Sequence, residues 1–238
     1  MNETIERQLS HRSIREFSNQ AVPGDVIDTL LAVTNRTATS SGLQQFSIIR
    51  VSDAEARRRI ALICQQDYVN RLPEFFIFVA DCHRNAGIAR EQGFDGPGLR
   101  GMDRFFQAFT DACLAAQNLT NAIESLGMGA VYFGSILNDP EELIGILALP
   151  ELTFPALGVG FGYPAQDPQL KPRLDISFKV FENRYRSFDN YREVVADYDK
   201  ELRAYYDLRD NGRRSDSFSE QVVKRTRVVR EKRGLMLE

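Results

Sequence analysis

Phe75-Phe76-Ile77-Phe78-Val79-Ala80 is the stretch whose reading decides the fold. It has no polar position, so it cannot be a strand with one wet face; both faces must be covered, which calls for helices above and below a sheet. Upstream, the β-branched and aromatic Phe46-Ser47-Ile48-Ile49-Arg50-Val51 reads as a second strand. Between the two, Asp53 caps a helix running to about Gln65. Further back, Pro23-Gly24-Asp25 opens a helix whose Val26, Ile27, Leu30, Leu31 and Val33 recur at helical spacing up to Asn35, and Asn2 caps a short helix ending at Leu9. Downstream, Gly87, Gly93, Gly96, Pro97, Gly98 and Gly101 predict a long mobile loop over 85–101, placed to act as a lid. The longest helical pattern follows, Met102 to Leu126, stopped by Gly127 and Gly129. Strands are expected at Ala130 to Gly134 and Ala156 to Tyr163, and helices at Tyr191 to Leu208 and Ser217 to Arg230. The expectation is one α+β domain over 1–238, a central mixed sheet flanked by helices, with 164–238 as an extended C-terminal excursion.

The 238 residues, 43% hydrophobic and 26% charged, have the composition of a globular chain. Their apolar runs fall far short of the ~20 residues needed to cross a bilayer, and the polar N-terminus lacks an apolar signal stretch. A soluble, cytoplasmic protein without membrane partners is expected. Cys64, Cys82 and Cys113 are odd in number and lack CxxC spacing, and His11 and His83 are the only histidines. No metal site is therefore expected, and hard chemistry points to a borrowed organic cofactor. The net charge of −3 is uneven: between Arg209 and Arg233, nine Lys/Arg face Asp210, Asp216, Glu220 and Glu231, a local +5. That region reads as a solvated helical tail or as a seat for a phosphate-bearing small ligand. Nucleic acid is disfavoured, because no aromatic-interleaved groove accompanies the charge.

Chemistry-bearing residues gather in separate stretches. His11-Arg12-Ser13-Ile14-Arg15 packs cations, a titratable donor and a hydroxyl into five positions. That suits a phosphate or an electron-rich ring edge, and equally an ordinary charged surface. In Lys171-Pro172-Arg173 the proline favours extended backbone, so the flanking cations point to the same side. Gly158-Val159-Gly160-Phe161-Gly162-Tyr163-Pro164 has the wrong spacing for a dinucleotide fingerprint, and its proline falls where the phosphate-binding helix should start. Its glycines suit close packing or the approach of a flat ligand.

Taken in order, HRSIR at 11–15, ATSS-x-LQ at 38–44, EF-x-x-F-x-AD at 74–81, AAQN at 115–118, ESLG-x-G-x-VY-x-G at 124–134 and LKPRL at 170–174 make the chain resemble the oxygen-insensitive NADPH nitroreductase and flavin reductase P group of the nitroreductase superfamily, over about residues 3–226. The resemblance implies an intertwined homodimer with FMN at the subunit interface and NADPH, or NADH, as donor. Hydride would pass by a ping-pong route to flavin N5 and then, as two electrons, to nitroaromatics, quinones, flavins or similar acceptors. It implies that His11, Ser13, Lys171 and Arg173, with Arg12, hold the FMN phosphate. Arg15 would face the pyrimidine end and stabilise the anionic reduced flavin. Thr39, Ser40 and Ser41 would approach from the partner subunit, Gln66 and Tyr68 would bond the ring edge, and the Tyr132, Phe133, Gly134 and Ser135 backbone would pass close to N5. Arg209 would grip the NADPH phosphate, with Arg214, or Arg213 or Lys232, as further candidates. Ser135, Gly42 and Asp67 depart from the family pattern, which bears on substrate range. Two readings stand beside this one: a flavin-carrying redox sensor without efficient turnover, and a binding module using the basic 209–233 segment.

Overall fold

A computed structural model of the chain describes residues 2–209, 216–228 and 232. The chain divides into two compact units, one running to residue 168 and one spanning 169–230.

In the first unit, the strands are β1 (Phe46–Arg50), β2 (Glu74–Asp81), β3 (Gly129–Phe133) and β4 (Thr153–Gly162), paired in the order β1-β2-β4-β3. All three pairings are antiparallel, and the register slips once, between Phe78 and Val79 of β2. The parallel component is a single bridge, Ser13 with Ala130 at the β3 edge.

Central strand β2 is buried at every position, and its alternate side chains feed two separate layers. Phe76 and Phe78 pack with α2 (Gly24–Thr34) and α5 (Met102–Ser125) through Leu30, Ala112, Ala116, Leu119 and Ile123. Phe75, Ile77 and Val79 pack with α3 (Ala54–Cys64) and α6 (Pro140–Leu147) through Ile60, Ile63 and Leu143. The unbroken apolar run is thus covered on both faces, as its composition requires. Local signals set the helix ends. Asn2 and Asp53 accept from Ile5 and Ala56 N–H at the starts of α1 (Glu3–Leu9) and α3. Gly127, at φ 76°, lets α5 turn: Gly127 N–H bonds Glu124 O and Met128 N–H bonds Ile123 O, the paired closure of a Schellman motif.

The expected loop over 85–101 is not a loop throughout. His83–Glu91 forms α4 and Pro97–Arg100 a 3₁₀ turn. Apart from Gly87, that helix has no breaker, and one glycine costs only about 1 kcal/mol in a helix interior. Gly93, at φ 83°, closes α4 with the same Schellman pairing, Gly93 N–H to Arg90 O and Phe94 N–H to Ala89 O. Glycine marks the stop here and does not signal looseness. α6 had no counterpart in the sequence reading, although Asp139 accepts from Glu142 N–H at 3.4 Å and Pro140 occupies the first turn.

In the second unit, the helical stretch expected at 191–208 is two helices, α7 (Tyr191–Val194) and α8 (Ala196–Arg209). α9 (Phe218–Thr226) opens with a capping box between Ser217 and Glu220. Leu202, Tyr205 and Tyr206 form its small core, with Tyr198 and Phe218 against them. Among the described residues no helix is long and apolar enough to cross a membrane, and no group of His, Cys, Asp and Glu could hold a metal ion.

Candidate functional site

The basic segment runs beside the sheet end where β3 and β4 pair. Ile14 N–H bonds Ala130 O at 2.9 Å, and Ser18 N–H bonds Tyr163 O at 2.8 Å. Ile14 is buried against Gly129, where an added Cβ would collide with its side chain. The one apolar residue of HRSIR, Ile14, therefore anchors the segment, and the polar residues around it are carried at the sheet edge.

Those charges meet different surroundings. His11 Nδ1 lies 2.5 Å from Glu124 Oε1, on the last turn of α5. Arg12 pairs with the Asp167 carboxylate and also reaches Pro168 O at 3.1 Å. Both pairs line a cleft of about 200 Å³ with Arg7, Gly129 and Gln166. Arg15 instead interacts with the Tyr68 hydroxyl: burial pushes that phenol up, and Arg15 pulls it partly back. Tyr68 donates to Gln66 Oε1 at 2.9 Å, and its ring centroid lies 5.5 Å from that of Phe133. The structure thus brings together Arg15, Gln66, Tyr68 and Phe133, residues far apart in sequence.

Tyr132 and Phe133 go to opposite faces of β3, as neighbours on a strand must. Tyr132 OH bonds Ala116 O at 3.2 Å and Gln117 Oε1 at 3.1 Å on α5, and burial pushes its phenol up. Gly134 stands in open space. Next to it, Ser135 Oγ is buried without a hydrogen bond of acceptable geometry. Burial pushes the nearby Cys64 thiol up and Ser135 pulls it partly back, but sulfur is a weak hydrogen-bond partner for a hydroxyl.

Thr39 precedes a 3₁₀ turn, Ser40–Gly42, in which Ser41 is left-handed at φ 53°. The turn is held by a residue the sequence reading missed. Asp111, fully buried on α5, accepts from Ser40 N–H at 2.8 Å and Gln45 N–H at 3.2 Å. A single Asp within a helical pattern reads as solvent face, so nothing in the sequence alone marks it. Glu124 and Asp167 were equally invisible as partners of the basic segment.

The glycines of β4 are packing positions. A Cβ at Gly158 would meet Phe75 at 2.9 Å, one at Gly160 would meet Leu72 at 2.7 Å, and one at Gly162 would meet Pro73 at 2.6 Å. Of the two readings left open for them, approach by a flat ligand gives way to protein side chains already filling the space.

In the second unit, Lys171 Nζ sits 5.6 Å from the Tyr206 ring centroid. Arg173 acts on the Tyr198 hydroxyl, which burial pushes up and which bonds Pro172 O at 3.2 Å. Both cations thus act on tyrosines of α8. Arg209 closes α8; its side chain, together with Arg213 and Arg214, lies outside the described residues.

Comparison with known proteins places these features in context. The model described as "Nitroreductase family" matches residues 9–163, and "Nitroreductase family, C-terminal domain" matches 171–238. The chain is 38% identical over 226 residues to "FMN reductase (NADPH)" of Bacillus subtilis (strain 168), spanning 94% of this chain and 91% of that protein. It is 35% identical over 239 residues to "Oxygen-insensitive NADPH nitroreductase" of Salmonella typhimurium, spanning 100% and 96%. The solved NADPH:FMN oxidoreductase from Vibrio harveyi, complexed with NAD+, superposes with a TM-score of 0.83 at 32% identity, spanning 96% and 93% of the two chains.

Proposed function

Because the chain belongs to the nitroreductase family and is an oxidoreductase, we propose that it carries FMN, draws electrons from NADPH, and reduces nitroaromatics, quinones, flavins or similar acceptors two electrons at a time. The grouping of Arg15, Gln66 and Tyr68 with Phe133, beside open Gly134, is the observation that supports this best. The residues present fit FMN chemically. Arg15 makes no ion pair among the described residues, so its charge remains for an electron-rich ring edge. The Gln66 N–H₂ is a donor of ring-edge type, and Tyr68, whose one O–H goes to Gln66 Oε1, sets which way that amide faces. The orphaned Ser135 hydroxyl lacks the partner that a polar ligand atom would give it. Bound FMN would supply the two-electron carrier of a ping-pong exchange, which no side chain here can provide.

This chain's own residues would bind, orient and tune. His11, Arg12, Ser13, Lys171 and Arg173 form the phosphate grip, and Arg15 biases the ring toward negative charge. The backbone from Tyr132 to Ser135 leaves the approach open at Gly134. Thr39, Ser40 and Ser41 reach the cofactor of a second copy, so the working form is a homodimer. Arg209 and Arg214 take the NADPH phosphate. The whole of 1–238 acts as one FMN-binding domain with 164–238 as its excursion, in the cytoplasm.

The test is direct. Purified protein should be yellow, lose its flavin absorbance when mixed anaerobically with NADPH, and regain it on adding a quinone or nitroaromatic. Flavin that stays oxidised with NADPH would sink the enzymatic reading and leave the redox-sensor one. Protein that never takes up FMN would sink both.

A further inference from the structure

The buried face of α5 is built from Ala, Leu, Ile and Thr120, with one acidic residue near its middle, Asp111, fully shielded from water. A carboxylate is buried in a helix interior only where its oxygens are satisfied. Here both oxygens accept backbone N–H groups from a single loop, Ser40 on Oδ1 at 2.8 Å and Gln45 on Oδ2 at 3.2 Å. The backbone between those amides is contorted: Ser41, Gly42 and Gln44 have φ of 53°, 68° and 52°. Side chains other than glycine rarely adopt this conformation, and it persists only when the surroundings impose it.

Further clamps act on the chain leading into the loop and on the loop itself. Two turns along α5, Asn118 Nδ2 donates to Val33 O and Thr37 Oγ1, both at 3.0 Å. From α4, Asn85 Nδ2 donates to Leu43 O at 2.9 Å, and Arg84 reaches Gln44 O. Yet Ser41, Gly42, Leu43 and Gln44 are all exposed and add nothing to the core. Between the two bonded amides, residues 41–44 offer no packing for a buried carboxylate to protect, so its bonds serve the shape of that stretch.

We infer that Asp111 is a positioning residue which, by binding the Ser40 and Gln45 amides, holds the Thr39–Ser41 turn in the form that meets the cofactor. The inference rests on the FMN reading above. A carboxylate suits the task because both its oxygens accept; an asparagine would turn an N–H₂ toward one of the two amides.

The experiment compares wild type, Asp111→Asn and Asn118→Ala. It measures FMN dissociation constants by flavin fluorescence, amide hydrogen exchange over 39–45, visible circular dichroism at saturating FMN, and the unfolding midpoint. For Asp111→Asn, FMN binding weaker by roughly 10- to 100-fold, as losing one charge-assisted hydrogen bond predicts, is expected. Faster exchange confined to 39–45 and an altered dichroism band of the saturated flavin should accompany it; loss of global stability alone would leave that band unchanged. Asn118→Ala should weaken binding by about 2- to 5-fold. Folded Asp111→Asn that binds FMN within twofold of wild type would overturn the inference, and so would weaker binding with exchange at 39–45 unchanged. If Asp111→Asn does not fold, Asn118→Ala decides: weaker binding with faster exchange at 39–45 supports the inference, and any other result overturns it. Wild type that fails to bind FMN would instead overturn the functional reading on which the inference rests.

Discussion

Arg12 spends its charge on the Asp167 carboxylate and His11 is tied to Glu124 through Nδ1, whereas Arg15 and Arg173 act on the Tyr68 and Tyr198 hydroxyls and Lys171 lies over the Tyr206 ring. An ion pair is close to neutral a few ångströms away; a cation beside a neutral phenol keeps its charge for whatever anion arrives. All five basic residues stand in basic motifs, so the motif alone does not say which are available. By this comparison His11 and Arg12 would enter the proposed phosphate grip already paired, whereas Arg15, Lys171 and Arg173 make no ion pair among the described residues.

Removing the tyrosine-seated pair should have the largest effect. Lys171→Ala with Arg173→Ala deletes two charge-assisted contacts of about 1.5–3 kcal/mol each, so FMN affinity should fall by at least 100-fold and the protein should purify colourless. Full flavin occupancy, read from the absorbance ratio, would break the comparison. Next comes Arg15→Ala, which should still bind flavin but be reduced by NADPH roughly 30-fold more slowly in stopped flow, since losing about 2 kcal/mol of electrostatic stabilisation has that effect. The flavin midpoint potential should also become more negative; an unchanged potential would mean that the Arg15 charge is neutralised by the protein just as that of Arg12 is. Glu124→Gln should release His11 and tighten FMN binding by no more than about fivefold, the scale of a partly exposed pair. A weakening beyond tenfold would show that Glu124 orients His11 for binding, which would sharpen the contrast by moving His11 to the other side of it. Asp167→Asn should matter least, within about twofold, because the Asp167 side chain is 90% exposed.

Much of the framework was legible in the sequence because it follows from local rules. The Phe75–Ala80 run, the Asp53 cap and the spacing of Leu30 with Ile27 gave β2, α3 and α2 nearly to the residue. The errors came where one residue type serves two ends. The glycines over 87–101 were read as looseness although Gly93 terminates a helix, and those over 158–162 left open a ligand that Phe75, Leu72 and Pro73 displace. Of the site, the basic and polar stretches were visible, but their partners were not. Glu124 lies 113 positions from His11, Asp167 lies 155 from Arg12, and Asp111 lies 71 from Ser40. Pairings at such separations are fixed by tertiary packing, which leaves no local pattern.

The missing side chains on β4 carry a consequence for how this protein can change over generations. Gly160 leaves only the room that the branched end of Leu72 occupies, with the Phe133 ring edge 3.0 Å from where a Cβ would stand. Alanine at Gly160 must push Leu72 away, and alanine at Leu72 must leave a void, so each change alone is harmful. Made together, the added methyl enters the vacated space and part of both penalties cancels, the non-additivity expected of residues that share one volume. The two positions are therefore epistatic. Either order passes through a damaged intermediate, a void if Leu72 shrinks first or an overpacked strand if Gly160 grows first, so history as well as chemistry decides which residues stand there.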